Sequence, residues 1–229
     1  MALKFLITND DGFDAPGIHA LTAMASEFGE VTIVAPAVEQ SYAGHRVSIA
    51  TPLFLTEVAP RRFHLAGTPA DCVRIAVKAL GYTPDYVLSG INRGGNLGAD
   101  VYISGTVAAA REGALLGIKA IAFSQFIRRP NPEDWSTSGR LAKRAFESVL
   151  NRPSCRGCYW NINLPHPVQD TAAVSLIECQ LDPSPLDVQY EETDLGFTYS
   201  GHYASRPFLP GYDVAQCFSG NLTLTALQL

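Results

Sequence analysis

Read from its N-terminus, the chain alternates between two hydrophobic periods. Short apolar runs rich in β-branched and aromatic side chains are separated by longer segments whose apolar positions recur at helical spacing. Residues Lys4 to Thr8 predict a buried strand, and Pro16 to Phe28 a helix opened by its proline, whose fixed φ suits a first helical turn. Glu30 to Ala35 predicts a second strand, stopped by Pro36. Arg46 to Leu65 is β-branched, aromatic and broken at Pro52 and Pro60, which predicts a hairpin. A helix over 69–80, a strand over 85–89, an Ala-rich helix over 104–116, a strand over 120–124, a helix over 135–150 and a strand over 159–164 follow. Strands joined through helices of this length pair in parallel, by crossovers that are almost always right-handed.

The fold class predicted is therefore α/β, a Rossmann-like doubly wound and mostly parallel sheet. From His166 to Tyr212 proline, acidic and aromatic residues replace the helical period, and a last strand is expected at Leu222 to Leu227. The whole chain, 1–229, reads as a single domain. Within it we expect a core over 1–165, an irregular β arm over 166–212 that serves oligomerisation, and a C-terminal strand region over 213–229.

Composition narrows the class. With 47% apolar and 17% charged residues, against a usual charged share of about 25%, the chain is not disordered. A net charge of -5 with no local concentration of Lys or Arg argues against binding a nucleic-acid duplex. No uncharged apolar run reaches the roughly 18 residues of a membrane span, and MALKFLITNDDG turns polar too early for a signal peptide, so a cytoplasmic protein without membrane attachment is expected. Five cysteines, an odd number without an export signal, point to reduced thiols. Cys155 and Cys158 form a C-x-x-C pair with no second pair at zinc spacing, and are read as a chance loop pair.

In an open α/β sheet, ligands bind beyond the carboxyl ends of the strands. The three loops expected there are Asn9-Asp10-Asp11-Gly12, Pro36 to Gly44, and Gly90-Ile91-Asn92-Arg93-Gly94-Gly95-Asn96, all rich in glycine and oxygen-bearing side chains. Adjacent carboxylates at the end of a buried strand repel each other and need compensating positive charge, which a hard divalent cation supplies. Asp10, Asp11, Ser41 and Asn92 offer oxygens of the kind Mg²⁺ or Mn²⁺ prefers; the alternative for Asp10 and Asp11 is that they cap the turn. Ser104-Gly105-Thr106 opens the Ala-rich helix, either as a phosphate-binding helix N-terminus or as an ordinary cap. No dinucleotide fingerprint, nucleoside-triphosphate loop or Gly-x-Ser-x-Gly elbow is present. His45 could reach the crevice as a proton donor or be structural.

Taken together, ITNDDGFDAPGI at 7–18, VAPAVEQSYAGH at 34–45, AGTPADCV at 66–73 and SGINRGGNLGADVYISGTVAAAREGALLG at 89–117 resemble the SurE family of survival-protein nucleotidases. The resemblance is collinear over residues 1–124. It departs at Ala37, where an acidic residue is common, and in a short, divergent C-terminal third. It implies a metal-dependent phosphomonoesterase acting on nucleoside 5′- and 3′-monophosphates, with one Mg²⁺ or Mn²⁺ per subunit and a homodimer or homotetramer built by extended arms. It also implies metal ligands at Asp10, Asp11, Ser41 and Asn92, with Asp10 and Asp11 catalytic, and phosphate contacts at Asn9, Asn96, Ser104, Gly105 and Thr106. Two other readings stay open: a nucleotide-sensing module without turnover, and a phosphatase that forms an aspartyl-phosphate at Asp10.

Overall fold

The computed structural model describes residues 2–152, 155–201 and 203–229. The elements in chain order are β1 (Leu3–Thr8), α1 (Pro16–Ser26), β2 (Gly29–Pro36), β3 (Leu55–Ala59), β4 (Arg62–Leu65), α2 (Pro69–Arg74), β5 (Tyr86–Arg93), α3 (Gly105–Leu115), β6 (Lys119–Gln125), α4 (Trp135–Leu150), β7 (Cys158–Leu164), β8 (Leu176–Glu178), β9 (Tyr190–Thr193), β10 (Gly196–Tyr199), α5 (Asp213–Phe218) and β11 (Leu222–Gln228). A nine-stranded sheet runs β3-β4-β2-β1-β5-β6-β7-β11-β8, and β9 pairs only with β10. From β4 to β7 all neighbours are parallel. The antiparallel pairs are β3 with β4 at one edge and β11 with β7 near the other.

Both faces of the central strands are covered, and the pleat sorts their side chains. Phe5 and Ile7 of β1, Ile33 and Ala35 of β2, and Tyr86 and Leu88 of β5 enter the core beneath α1 and α4. Leu6, Val34 and Val87 enter the opposite core, beneath α2 and α3. Where α3 packs on β6 within that second core the residues are small: Ala109, Ala110 and Ala114 of α3 share it with Ala120 and Ala122 of β6. A Cβ added at Gly113 would stand 3.0 Å from Val87 Cβ, so the helix lies unusually close to the sheet. Close approach fixes where its N-terminus points.

Several expectations change. Arg46 to Leu65 is a hairpin only over its second half; residues 46–54 are instead tethered by side chains, with Thr68 Oγ1 donating to Arg46 O (2.7 Å) and Ser48 N and Oγ donating to Asp71 (2.9 and 2.8 Å). The strand expected to end at Ser89 continues to Arg93 through a register shift between Ser89 and Asn92. Gly90, at φ +131°, permits that irregularity: a Cβ there would stand 2.2 Å from Phe123 O. Residues 166–212 are not one arm, because β8 joins the main sheet beside β11 while β9 and β10 form a separate exposed hairpin. The 213–229 region contains α5 before its strand. Its two turns are short, and no helical period is visible over six residues. Cys155 and Cys158, read as reduced, are joined in a disulfide, their Cα atoms 5.3 Å apart across the turn before β7.

Candidate active site

The chain leaves β1 for β2 on one side, while β5 lies on the other, so the strand order switches at β1 and opens a crevice beyond its carboxyl end. Asn9, Asp10 and Asp11 stand there. Asn9 Nδ2 donates to Gly12 O (2.7 Å) and closes the turn, and Gly12 takes a φ of +103° that other residues rarely adopt. Gln40 N donates to Asp10 O (2.7 Å) and Phe13 N to Pro36 O (2.9 Å), drawing the loop after β2 against the loop after β1. Ser41 lies within that loop, exposed, with its Oγ donating to Glu39 Oε1 (2.5 Å). From the other side Arg93 N donates to Asp11 Oδ2 (3.0 Å), which brings the end of β5 to the carboxylates. Asn92 commits Nδ2 to Gly94 O (2.8 Å), so its amide oxygen is what it can offer a ligand.

The N-terminus of α3 closes the crevice from below. Ser104 caps the helix by accepting from Val107 N (3.0 Å). Thr106 donates twice to Asp10, from its backbone N to Oδ2 (3.1 Å) and from Oγ1 to Oδ1. Gly105 leaves room for this: a Cβ there would stand 2.9 Å from both Cβ and Oδ2 of Asp10. The sequence left 104–106 open as a phosphate-binding helix N-terminus or an ordinary cap. In the structure Ser104 caps the helix, and the carboxyl group of Asp10 lies against the same turn.

Electrostatics follow from burial. Asp10 is 4% exposed, and desolvation raises its pKa despite the Thr106 hydrogen bonds. Asp11 is pushed up to about 6 by burial first and by the charge of Asp10 second. Two neighbouring carboxylates that both resist ionising are a pair whose burial and repulsion a positive charge would relieve. Asn9 adds a buried Oδ1 with no hydrogen-bond partner among the described residues. Among those residues no three His, Cys, Asp or Glu side chains gather as ligands. Asp10, Asp11, the Ser41 hydroxyl and the Asn92 amide oxygen are oxygen donors of the kind a hard ion keeping several waters prefers, and those residues could hold one.

Asn96 makes its hydrogen bonds in a buried polar knot. Its Nδ2 donates to Ser124 Oγ (2.8 Å), its N to Asn163 Oδ1 (2.8 Å), and its carbonyl accepts from Asn161 and Asn163 (2.8 and 3.0 Å). Two further groups escaped the sequence reading. Glu112 on α3, 2% exposed, accepts from Arg74 Nε (2.7 Å) and bonds His45 Nε2 (2.8 Å), so burial is outweighed and its pKa falls. His45 is therefore tied to a buried carboxylate. Asp100, Tyr203 and Arg206 meet behind the Asn92 loop. Neither pairing has a sequence signal, because the partners lie 38 to 106 positions apart.

A doubly wound, mostly parallel α/β sheet with an acidic, oxygen-rich crevice at its switch point defines the general class. The chain belongs to the SurE family: the model of the survival protein SurE matches residues 5–181. A relative from Paramagnetospirillum magneticum, named 5′-nucleotidase SurE, is 40% identical over 99% of this chain and 90% of its own length. Another of that name, from Citrifermentans bemidjiense, is 40% identical over 78% of this chain and 72% of its own. The crystal structure of the SurE protein from Aquifex aeolicus superposes with a TM-score of 0.84 at 31% identity, covering 98% of this chain and 93% of that one.

Proposed function

We propose that this chain is a metal-dependent phosphomonoesterase that hydrolyses nucleoside 5′-monophosphates, and 3′-monophosphates, to nucleoside and phosphate. Its membership of a family whose relatives are named 5′-nucleotidase supports the activity. The observation that carries the chemistry is the adjacent Asp10–Asp11 pair, with Asp10 held by both donors of Thr106. A bound Mg²⁺ or Mn²⁺ supplies Lewis-acid polarisation of a phosphoryl oxygen and lowers the pKa of water. Asp10, Asp11, Ser41 and Asn92 hold that ion, one per subunit. Thr106 and Gly105 fix the direction of the Asp10 carboxylate, so that the ligand does not have to reorganise during the reaction. Asn9, Asn96, Ser104, Gly105 and Thr106 are the residues assigned to the phosphoryl group on this reading.

The aspartyl-phosphate reading fares worse on the same geometry. Both oxygens of Asp10 already accept hydrogen bonds from Thr106, which lowers their nucleophilicity. Release of inorganic phosphate from AMP with Mn²⁺, abolished by chelator and restored by Mn²⁺, tests the proposal. Binding of AMP without release would instead identify a nucleotide-sensing module, and a trapped phospho-enzyme would restore the covalent route.

The same reading takes the protein as a cytoplasmic homodimer or homotetramer. No helix among the described residues is long and apolar enough to cross a membrane. The β9–β10 hairpin exposes Tyr190, Leu195, Phe197 and Tyr199, an apolar surface that supports assembly.

A further inference from the structure

The loop from Gly94 to Gly98 follows Asn92 and carries Asn96, yet much of its anchorage comes from distant parts of the chain. Its hold by Asn161 and Asn163 is described above. The rest comes from the C-terminal segment. The Tyr203 hydroxyl lies 3.1 Å from Gly95 O and 2.7 Å from Asp100 Oδ2. Arg206 donates to the same Asp100 oxygen (2.6 Å) and to Leu97 O (3.3 Å). Asp100 Oδ2 also accepts from Leu97 N (3.1 Å), and Asp213 Oδ2 accepts from Gly98 N (2.7 Å). The Arg206–Asp100 ion pair is buried, its side chains 6% and 11% exposed.

A buried ion pair is a poor device for stability, because desolvation consumes much of what the attraction gains. It is a good device for direction. Arg206 reaches a carboxylate and a carbonyl at once with its planar fork, and so sets both the distance and the orientation of the loop. We infer that the segment from Tyr203 to Asp213 is a clamp on the active-site loop, with Arg206 and Tyr203 as positioning residues for Asn92 and Asn96. The inference rests on the role proposed above for those two asparagines. It assigns the C-terminal third, expected from sequence to serve assembly, a part in the site itself.

The test uses the full-length protein carrying Tyr203→Phe, Arg206→Lys, Arg206→Met, or Asp100→Asn with Arg206→Met. Lys143→Met, on α4 at an exposed ion pair with Glu27, is the control. Amide hydrogen exchange of Gly94–Gly98, Mn²⁺ affinity by calorimetry, and kcat and KM for AMP are read together. Loss of one hydrogen bond in Tyr203→Phe is expected to speed loop exchange about tenfold and to lower kcat about tenfold, leaving exchange in β1 unchanged. Arg206→Lys restores the charge without the fork and should fall between wild type and Arg206→Met. The double variant removes the unpaired charge, and it decides the matter with Tyr203→Phe if Arg206→Met does not fold. Unchanged loop exchange overturns the clamp. Faster exchange with wild-type kcat, KM and Mn²⁺ affinity overturns the positioning role. If the wild-type protein releases no phosphate, the proposed activity fails by itself, while exchange and Mn²⁺ affinity still judge the clamp.

Discussion

Replacing Gly105 by alanine sets two effects of opposite sign against each other. Gly105 is the first residue of α3 and its φ is not positive, so alanine can take its backbone conformation, and a helical Gly→Ala change ordinarily gains about 0.5–1 kcal/mol. The new Cβ, however, would stand 2.9 Å from Cβ and Oδ2 of Asp10. Reaching even a tight 3.4 Å contact requires a displacement of about 0.5 Å, and overpacking of this kind costs about 1–3 kcal/mol. The helix cannot retreat, because Gly113 seats it against Val87. Asp10 must move, and a shift on the order of 1 Å at a reacting centre costs about 10²-fold in rate. We therefore expect Gly105→Ala to lose roughly 10- to 100-fold in kcat/KM for AMP and to bind Mn²⁺ more weakly, with a melting temperature unchanged or lower. Gly139→Ala is the matched control. Its Cβ would come no nearer than 3.7 Å to Ala20 O, so it should stabilise the protein and leave activity intact. Wild-type turnover and Mn²⁺ affinity in Gly105→Ala would refute the placement of Asp10.

Asp11→Asn is expected to abolish phosphate release while stabilising the metal-free fold. In wild type with chelator, the raised Asp11 pKa contributes stability that is present below about 4 and lost as pH rises through about 6, at most about 3 kcal/mol. The melting temperature of the chelated protein should fall over that window, and a scan of Asp11→Asn that falls equally would remove the cause. Mn²⁺ at 100 times its Kd should add about 2.7 kcal/mol, a rise of roughly 5–10 °C in melting temperature, and calorimetry showing no shift would deny a preformed site. Light scattering should give at least twice the 24.7 kDa chain mass, and Phe197→Lys should reduce it; a monomer across micromolar concentrations would count against assembly through the hairpin.

Much of the core was legible because its strands are buried on both faces. Phe5 to Ile7 and Ala120 to Phe123 read as continuous apolar runs, and the helix expected over 135–150 matches α4, which Asp134 caps by accepting from Thr137 N (3.1 Å). The acidic loop was visible because two adjacent aspartates after a strand demand an explanation. What stayed hidden depends on distance along the chain. Nothing near Thr106 announces that its donors are directed to Asp10, ninety-six residues earlier, and nothing near Arg206 announces Asp100. Strand β5 was cut short because Gly90 reads as a terminator, although there it permits an irregularity within the strand.

The placement of these parts along the chain also sets a schedule for its synthesis. Every residue from Asn9 to Thr106 has left the ribosome before Arg206 is made, and at about 5–20 residues per second the gap is roughly 5–20 s. During that interval β1, β2 and β5 can pair and bring Asp10 and Asp11 together, while Gly98 still lacks Asp213. A nascent chain, or one ended early by a stop codon before Tyr203, thus carries the whole acidic crevice with part of its loop unsecured. On the proposed clamp, competence arrives with the closing stretch of translation, and fragments that retain the motifs are expected to lack the working geometry.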